Sequence, residues 1–133
     1  MKKYLVDTSV LIAHLRDFSP ATKFLVQEDG LVISYVTLVE LLQGTGNKDE
    51  MKKVNRLVAP FTVLWGSETV NKRALELVEH YHLSHKAHVL DMLIAATALT
   101  ANIPLITDNV KDFQFIPDLA VQKPPYEQFK KAA

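Results

Sequence analysis

The sequence predicts an α/β fold in which a central, mostly parallel sheet of four to five strands carries helices on both faces. Two patterns carry that expectation. Short, unbroken apolar runs recur along the chain, and segments with apolar residues at helical spacing stand between them. A strand that is apolar throughout is buried on both sides, as in a parallel sheet held between helical layers. The 133 residues fit one domain, taken as 1–133, and the 48% hydrophobic fraction supports a sizeable core without staples.

The first strand covers residues 3–7 and ends on the carboxylate of Asp7. Ser9 to Arg16 then reads as a helix, with Val10, Leu11, Ala13 and Leu15 at helical spacing and Asp7 or Thr8 placed to cap it. Pro20 suits the first turn of a second helix, which runs to Gln27 and stops at Asp29-Gly30. Leu31 to Ser34 is a buried strand that leads into a helix over Tyr35–Leu42, closed by Gln43-Gly44. Asn47 caps an amphipathic helix through Val58, with Met51, Val54, Leu57 and Val58 on one side, and Pro60 ends it. Phe61 to Trp65 is the third strand.

Ser67 and Glu68 begin the next helix, carried by Val70, Ala74, Leu77, Val78 and Tyr81 through about residue 82. Its aromatic–apolar stripe reads as core or dimer surface. His80, His82, His85 and His88 follow in a polar segment between helices; with no cysteine and no i, i+4 histidine pair, a metal site is the weaker reading. A helix spans Val89–Ala101 and ends at Asn102-Ile103-Pro104. Leu105 to Thr107 is the fourth strand, and a fifth lies near Leu119–Val121, before Pro124-Pro125 and a basic tail.

The absence of cysteine excludes disulfides, iron–sulfur clusters and thiolate zinc sites, and suits a reducing cytosol. The run after Met1-Lys2-Lys3 is too short for a signal peptide, and residues 89–101 are too few to span a bilayer, so a cytoplasmic protein is expected. Fifteen basic residues balance fifteen acidic ones, which counts mildly against a nucleic-acid partner unless bound cations change the sign of the site. Lys48, Lys52, Lys53 and Arg56 gather on one helix, where Glu50 interrupts them and a solvated face is the simpler reading.

Ligand sites of parallel sheets lie outside the carboxyl ends of the strands, where Asp7 and Thr107-Asp108 both fall. Asp91 stands in a helix whose other polar residues are Thr97 and Thr100, so its charge needs a partner. Glu40 has similarly apolar neighbours. Each has an ordinary reading alone: Asp7 or Asp91 as a cap, Glu40 as a surface residue, Asp108-Asn109 as a turn. Together they suggest one shared cation. Mg²⁺ and Mn²⁺ favour such hard oxygens, and Thr8, Ser9 and Thr107 supply hydroxyls to hold the carboxylates in place.

These segments also resemble a known family. Leu5-Val6-Asp7-Thr8-Ser9-Val10-Leu11-Ile12, Val39-Glu40-Leu41-Leu42-Gln43-Gly44, Asp91-Met92-Leu93-Ile94-Ala95-Ala96-Thr97-Ala98 and Leu105-Ile106-Thr107-Asp108-Asn109-Val110-Lys111-Asp112-Phe113 are similar, in order, to the four acidic motifs of PIN domains. The resemblance implies a three-layer α/β/α sandwich and a VapC-like endoribonuclease, the toxin of a type II toxin–antitoxin system. It further implies Mg²⁺ or Mn²⁺ as cofactor, homodimers, RNA as substrate and a VapB-type antitoxin as partner. Asp7, Glu40 and Asp91 match the family's ligands. The fourth ligand position falls on Asn109, with Asp108 one residue early as the alternative, and Thr8 and Thr107 orient the shell. A catalytically silent PIN-like module that binds RNA or protein is the rival. A phosphoenzyme on Asp7 is disfavoured, because Ser9 stands where such enzymes carry a second acid.

Overall fold

The computed structural model describes residues 2–130. The end of the expected basic tail, residues 131–133, and Met1 lie outside the described residues. Five strands, β1 (Tyr4–Val6), β2 (Leu31–Ser34), β3 (Thr62–Leu64), β4 (Leu105–Ile106) and β5 (Val121–Gln122), form one sheet in the order β3-β2-β1-β4-β5. All pairings are parallel, with Leu5 facing Val32 on one side and Leu105 on the other. The helices are α1 (Thr8–Leu15), α2 (Ser19–Gln27), α3 (Tyr35–Gln43), α4 (Lys48–Val58), α5 (Glu68–His85) and α6 (Val89–Ala101).

The period-two alternation of each strand sorts its side chains into two cores. Leu5, Val32 and Leu105 pack with Met92, Ile94, Ala95 and Ala98 of α6 and with Phe113 and Ile116. Their neighbours Val6, Leu31, Ile33 and Ile106 face the other way, onto Val10 and Leu11 of α1, Phe24 of α2 and Val54 and Val58 of α4. Two helical layers on one parallel sheet make the expected three-layer sandwich. The alanines of α6 permit its extensive contact with α5, where Ala96 meets Val70 and Ala74.

Several boundaries differ from the sequence reading. Asp7 and Thr107 stand just outside β1 and β4, and β3 keeps only residues 62–64 of the expected 61–65. The fifth strand is Val121–Gln122 and not 119–121, because the positive φ of Asp118 (67°) turns the chain there and Ala120 enters the sheet only through its carbonyl, which accepts from Leu105 N. Helix α5 continues to His85, so three of the four clustered histidines are helical and not interhelical. Tyr81 and His85 both pack on Phe115, which holds that last turn. His88 is the N-cap of α6, its Nδ1 accepting from Leu90 N at 3.2 Å. One-turn 3-10 helices at Val110–Asp112 and Tyr126–Phe129 were not foreseen; the second packs Phe129 against Phe24 of α2.

From β1 the chain moves outward through β2 to β3, then returns to place β4 on the opposite side of β1. The strand order therefore reverses between β1 and β4, and a crevice opens outside their carboxyl ends.

Candidate active site

Asp7 and Thr107 are the residues that follow β1 and β4, so parallel pairing brings two positions a hundred residues apart together. The Asp7 amide donates to the Ile106 carbonyl (2.9 Å), and Thr107 Oγ1 donates to Asp7 Oδ2 (2.7 Å). Ser9 Oγ donates to the same oxygen at 2.9 Å. Asp7 is buried and occupies the N-cap position of α1, yet its side chain makes no capping bond. The carboxylate is held by hydroxyls instead of by the helix, which removes the ordinary reading of this residue.

Glu40 is positioned by a relay from α1 to α3. Thr8 Oγ1 donates to Glu40 Oε1 (2.8 Å), which commits its only proton, so it accepts from Thr37 Oγ1 at 2.9 Å. Asp91 lies in the first turn of α6, where the cap is His88 and not Asp91. The last motif follows β4 as a tight turn. Asn109 N donates to Thr107 Oγ1 (2.9 Å), Asp108 N donates to Ser9 Oγ (3.1 Å), and Tyr126 Oη donates to Asp108 Oδ2 (3.1 Å).

Asp7, Thr8, Ser9, Glu40, Asp91, Asp108 and Asn109 all line one open pocket of about 530 Å³. Of the residues singled out from sequence, Thr107 alone stands behind the wall, buried beneath Asp7. Electrostatics distinguish the pocket. Burial pushes the Asp91 carboxyl up to about 6, and the charges of Asp7, Asp112 and Glu40 push in the same direction. Desolvation also raises Asp108, against the opposing hydrogen bond from Tyr126. Like charges are thus crowded where water is scarce. Among the described residues, however, no three acid or histidine side chains close on a single point. The acids share the pocket without forming a ready-made cage.

Sequence reasoning missed five residues here. Thr37 and Tyr126 brace Glu40 and Asp108 by the bonds above. Asp112 adds its charge at Asp91 from the 3-10 turn that Phe113 anchors in the core; the signal was an acid directly before a buried aromatic. Arg16 and Phe18, in the turn between α1 and α2, also line the pocket.

Comparison with known proteins agrees with this architecture. The family model described as PIN domain matches residues 4–117. Ribonuclease VapC10 of Mycobacterium tuberculosis is 41% identical over 126 residues, covering 92% of each chain. Ribonuclease VapC of Rickettsia bellii is 37% identical over 129 residues, covering 91% of this chain and 96% of its own. A toxin–antitoxin complex from Klebsiella pneumoniae contains a chain that superposes with a TM-score of 0.76 at 28% identity, covering 92% of this chain and 98% of that one. With a parallel sheet that reverses beside Asp7 and the four acidic segments gathered at its carboxyl edge, the chain belongs to the PIN-domain family, in its VapC group.

Proposed function

We propose that this chain is a divalent-metal-dependent endoribonuclease that hydrolyses RNA phosphodiester bonds, the toxin of a type II toxin–antitoxin pair. One observation carries the reading: carboxylates from the end of β1, from α3 and from α6 line a single pocket at the strand reversal, and burial, added to by their mutual repulsion, holds Asp91 near 6. Carboxylates crowded in this way favour a cation over water or protons. The relatives named as VapC ribonucleases and the toxin–antitoxin complex supply the substrate and partner classes.

Asp7, Glu40 and Asp91 would hold Mg²⁺ or Mn²⁺, with Asn109 or Asp108 completing the set. The donors are all hard oxygens, as these ions require. That the acids do not close on one point is compatible with Mg²⁺, which keeps several of its own waters and touches few protein groups directly. When bound, the ion would lower the pKa of a water and neutralise charge gathering on the phosphodiester. The chain's own residues do the positioning. Ser9 and Thr107 fix Asp7 through Oδ2 and leave Oδ1 without either hydroxyl, while Thr8, itself held by Thr37, fixes Glu40.

The reading takes residues 1–133 as one PIN domain in the cytoplasm, acting as a homodimer and held inactive by a VapB-type antitoxin. No helix among the described residues is long and apolar enough to cross a membrane. Exposed Trp65 and Leu83 offer apolar surface to a second copy.

A catalytically silent module has one observation in its favour, the open arrangement of the acids. Calorimetric titration with Mn²⁺ and an RNA-cleavage assay in Mg²⁺ with an EDTA control separate the two. Metal binding with metal-dependent cleavage is the expected outcome. Neither would leave the silent module standing.

A further inference from the structure

The pocket wall contains two residues that the hydrolytic chemistry does not use. Helix α1 ends at Arg16, Asp17 takes a positive φ of 64°, and Phe18 is the N-cap of α2. Three backbone bonds pin this turn: Arg16 N to Ile12 O (3.0 Å), Asp17 N to His14 O (2.9 Å) and Phe18 N to Ala13 O (3.0 Å). The turn so held places both residues on the same pocket as Asp7, Glu40 and Asp91. Among the described residues Arg16 is the only cation in that lining, and it enters neither ion pair found among them.

Phe18 is 39% exposed, although its ring touches Tyr126 edge-on at 5.0 Å. Tyr126 is in turn anchored on Asp108. An aromatic ring braced from behind and left open to a polar pocket presents a flat apolar face to any ligand that enters it. The ordinary readings explain less. Arg16 does complement the carboxyl end of the α1 dipole, and Phe18 does pack on Tyr126, but neither role requires the side chain to border the acids.

We propose that Arg16 and Phe18 form a nucleotide-binding subsite at the rim of the pocket, Phe18 stacking a base of single-stranded RNA and Arg16 holding its phosphate. The proposal rests on the ribonuclease reading and deepens it. With fifteen charges of each sign, the chain offers no overall attraction to a polyanion, and the acids repel one. At this pocket affinity comes from a local cation and from stacking, which tolerates any base. A base in an A-form duplex hides its faces, so the subsite selects unpaired RNA. Arg16 also borders the neighbouring groove between α1 and α4, so the strand can leave the pocket past it.

The test uses the full chain carrying Asp91→Asn, in which cleavage is blocked, titrated by fluorescence anisotropy with a labelled, mixed-sequence single-stranded RNA. Adding Phe18→Ala should weaken binding about 10-fold, and Phe18→Trp should restore it. Neither change should alter the weaker binding of a duplex of the same sequence. Adding Arg16→Gln should lower the slope of log affinity against log salt by roughly 0.7. Unchanged affinity and slope in both variants, while the native chain still cleaves RNA, would overturn the subsite and spare the wider reading. A native chain that cleaves no RNA, with an Asp91→Asn parent that binds none, would bring down both.

Discussion

Two hollows of nearly equal size lie at opposite ends of the sheet. The acid pocket, about 530 Å³, opens at the carboxyl ends of β1 and β4; the other, about 560 Å³, is bordered by Lys2, Arg73, Asn102, Pro104 and Asp118 near the start of β4. Size does not tell them apart. The second is richer in unusual backbone: Asn102 and Asp118 have positive φ, where the first has Asp17 at its rim, and nearby Gly30, at 78°, stands where an added Cβ would collide with the Lys2 carbonyl oxygen. These conformations reverse the chain into the next strand. In the first, the unusual feature is charge, with Asp91 lifted to about 6 among other acids. One end carries strain that serves the fold, and the other carries strain that a ligand can relieve.

The comparison breaks most directly at the acids. Asp7→Asn or Asp91→Asn should lower RNA cleavage by more than about 100-fold, since even outer partners of a metal ligand are worth 10–100-fold. An unchanged circular dichroism spectrum would assign the loss to chemistry. Cleavage at the native rate in either variant would mean that the charge serves no reaction.

Thr107→Val keeps the shape but deletes the hydroxyl that donates to Asp7 and accepts from the Asn109 amide. Cleavage should fall by about 10–100-fold with the chain still folded, as measured by initial rates in Mn²⁺. A smaller effect would make Ser9 the main support of Asp7.

At the opposite end the signs should invert. Gly30→Ala combines an unfavourable φ with a collision against backbone, so stability should drop by about 1–3 kcal/mol in urea unfolding. The fraction that remains folded should cleave RNA at the native rate. Reduced turnover per folded molecule would show that the two ends are coupled.

The smallest expected effect concerns the proton on Asp91. Its native pKa, about 6, exceeds the ordinary 3.8, so between about pH 4 and 6 the native state holds more protons than the unfolded chain. The contribution of this group to stability therefore falls as pH rises through that window and is level above it. Asp91→Asn should be more stable than the native chain by about 1 kcal/mol at pH 7 without divalent cations, after allowance for partial exposure. The difference should vanish near pH 4. Mn²⁺ should stabilise the native chain and much less the variant. Superimposable melting curves at both pH values would mean that the acids are not in electrostatic conflict.

The residues of the acid pocket were legible for different reasons. Asp7, Glu40 and Asp91 stood out as charges inside apolar segments, and all three line the pocket. Thr107 was legible by its place after an apolar run. Asp112, Tyr126, Arg16 and Phe18 were not, because each looks like ordinary loop or helix-end chemistry until its neighbours are known. The same division holds for the fold. Apolar runs marked the four stronger strands, whereas β5 was misplaced by two residues because a turn at Asp118 and not hydrophobicity sets where it begins. The end of α5 was missed because the polar His85 is held by Phe115, thirty residues further on.

Local pattern alone determined that this chain alternates strands and helices and which acids were out of place, since burial of apolar side chains is written in their spacing. Only the tertiary structure decided that β4 returns to the free side of β1. That single choice of neighbour creates the reversal that carries Thr107 to within 2.7 Å of Asp7 and crowds the charges around Asp91. Spacing along a chain specifies faces. It cannot specify which strands become neighbours, because that depends on packing summed over the whole core.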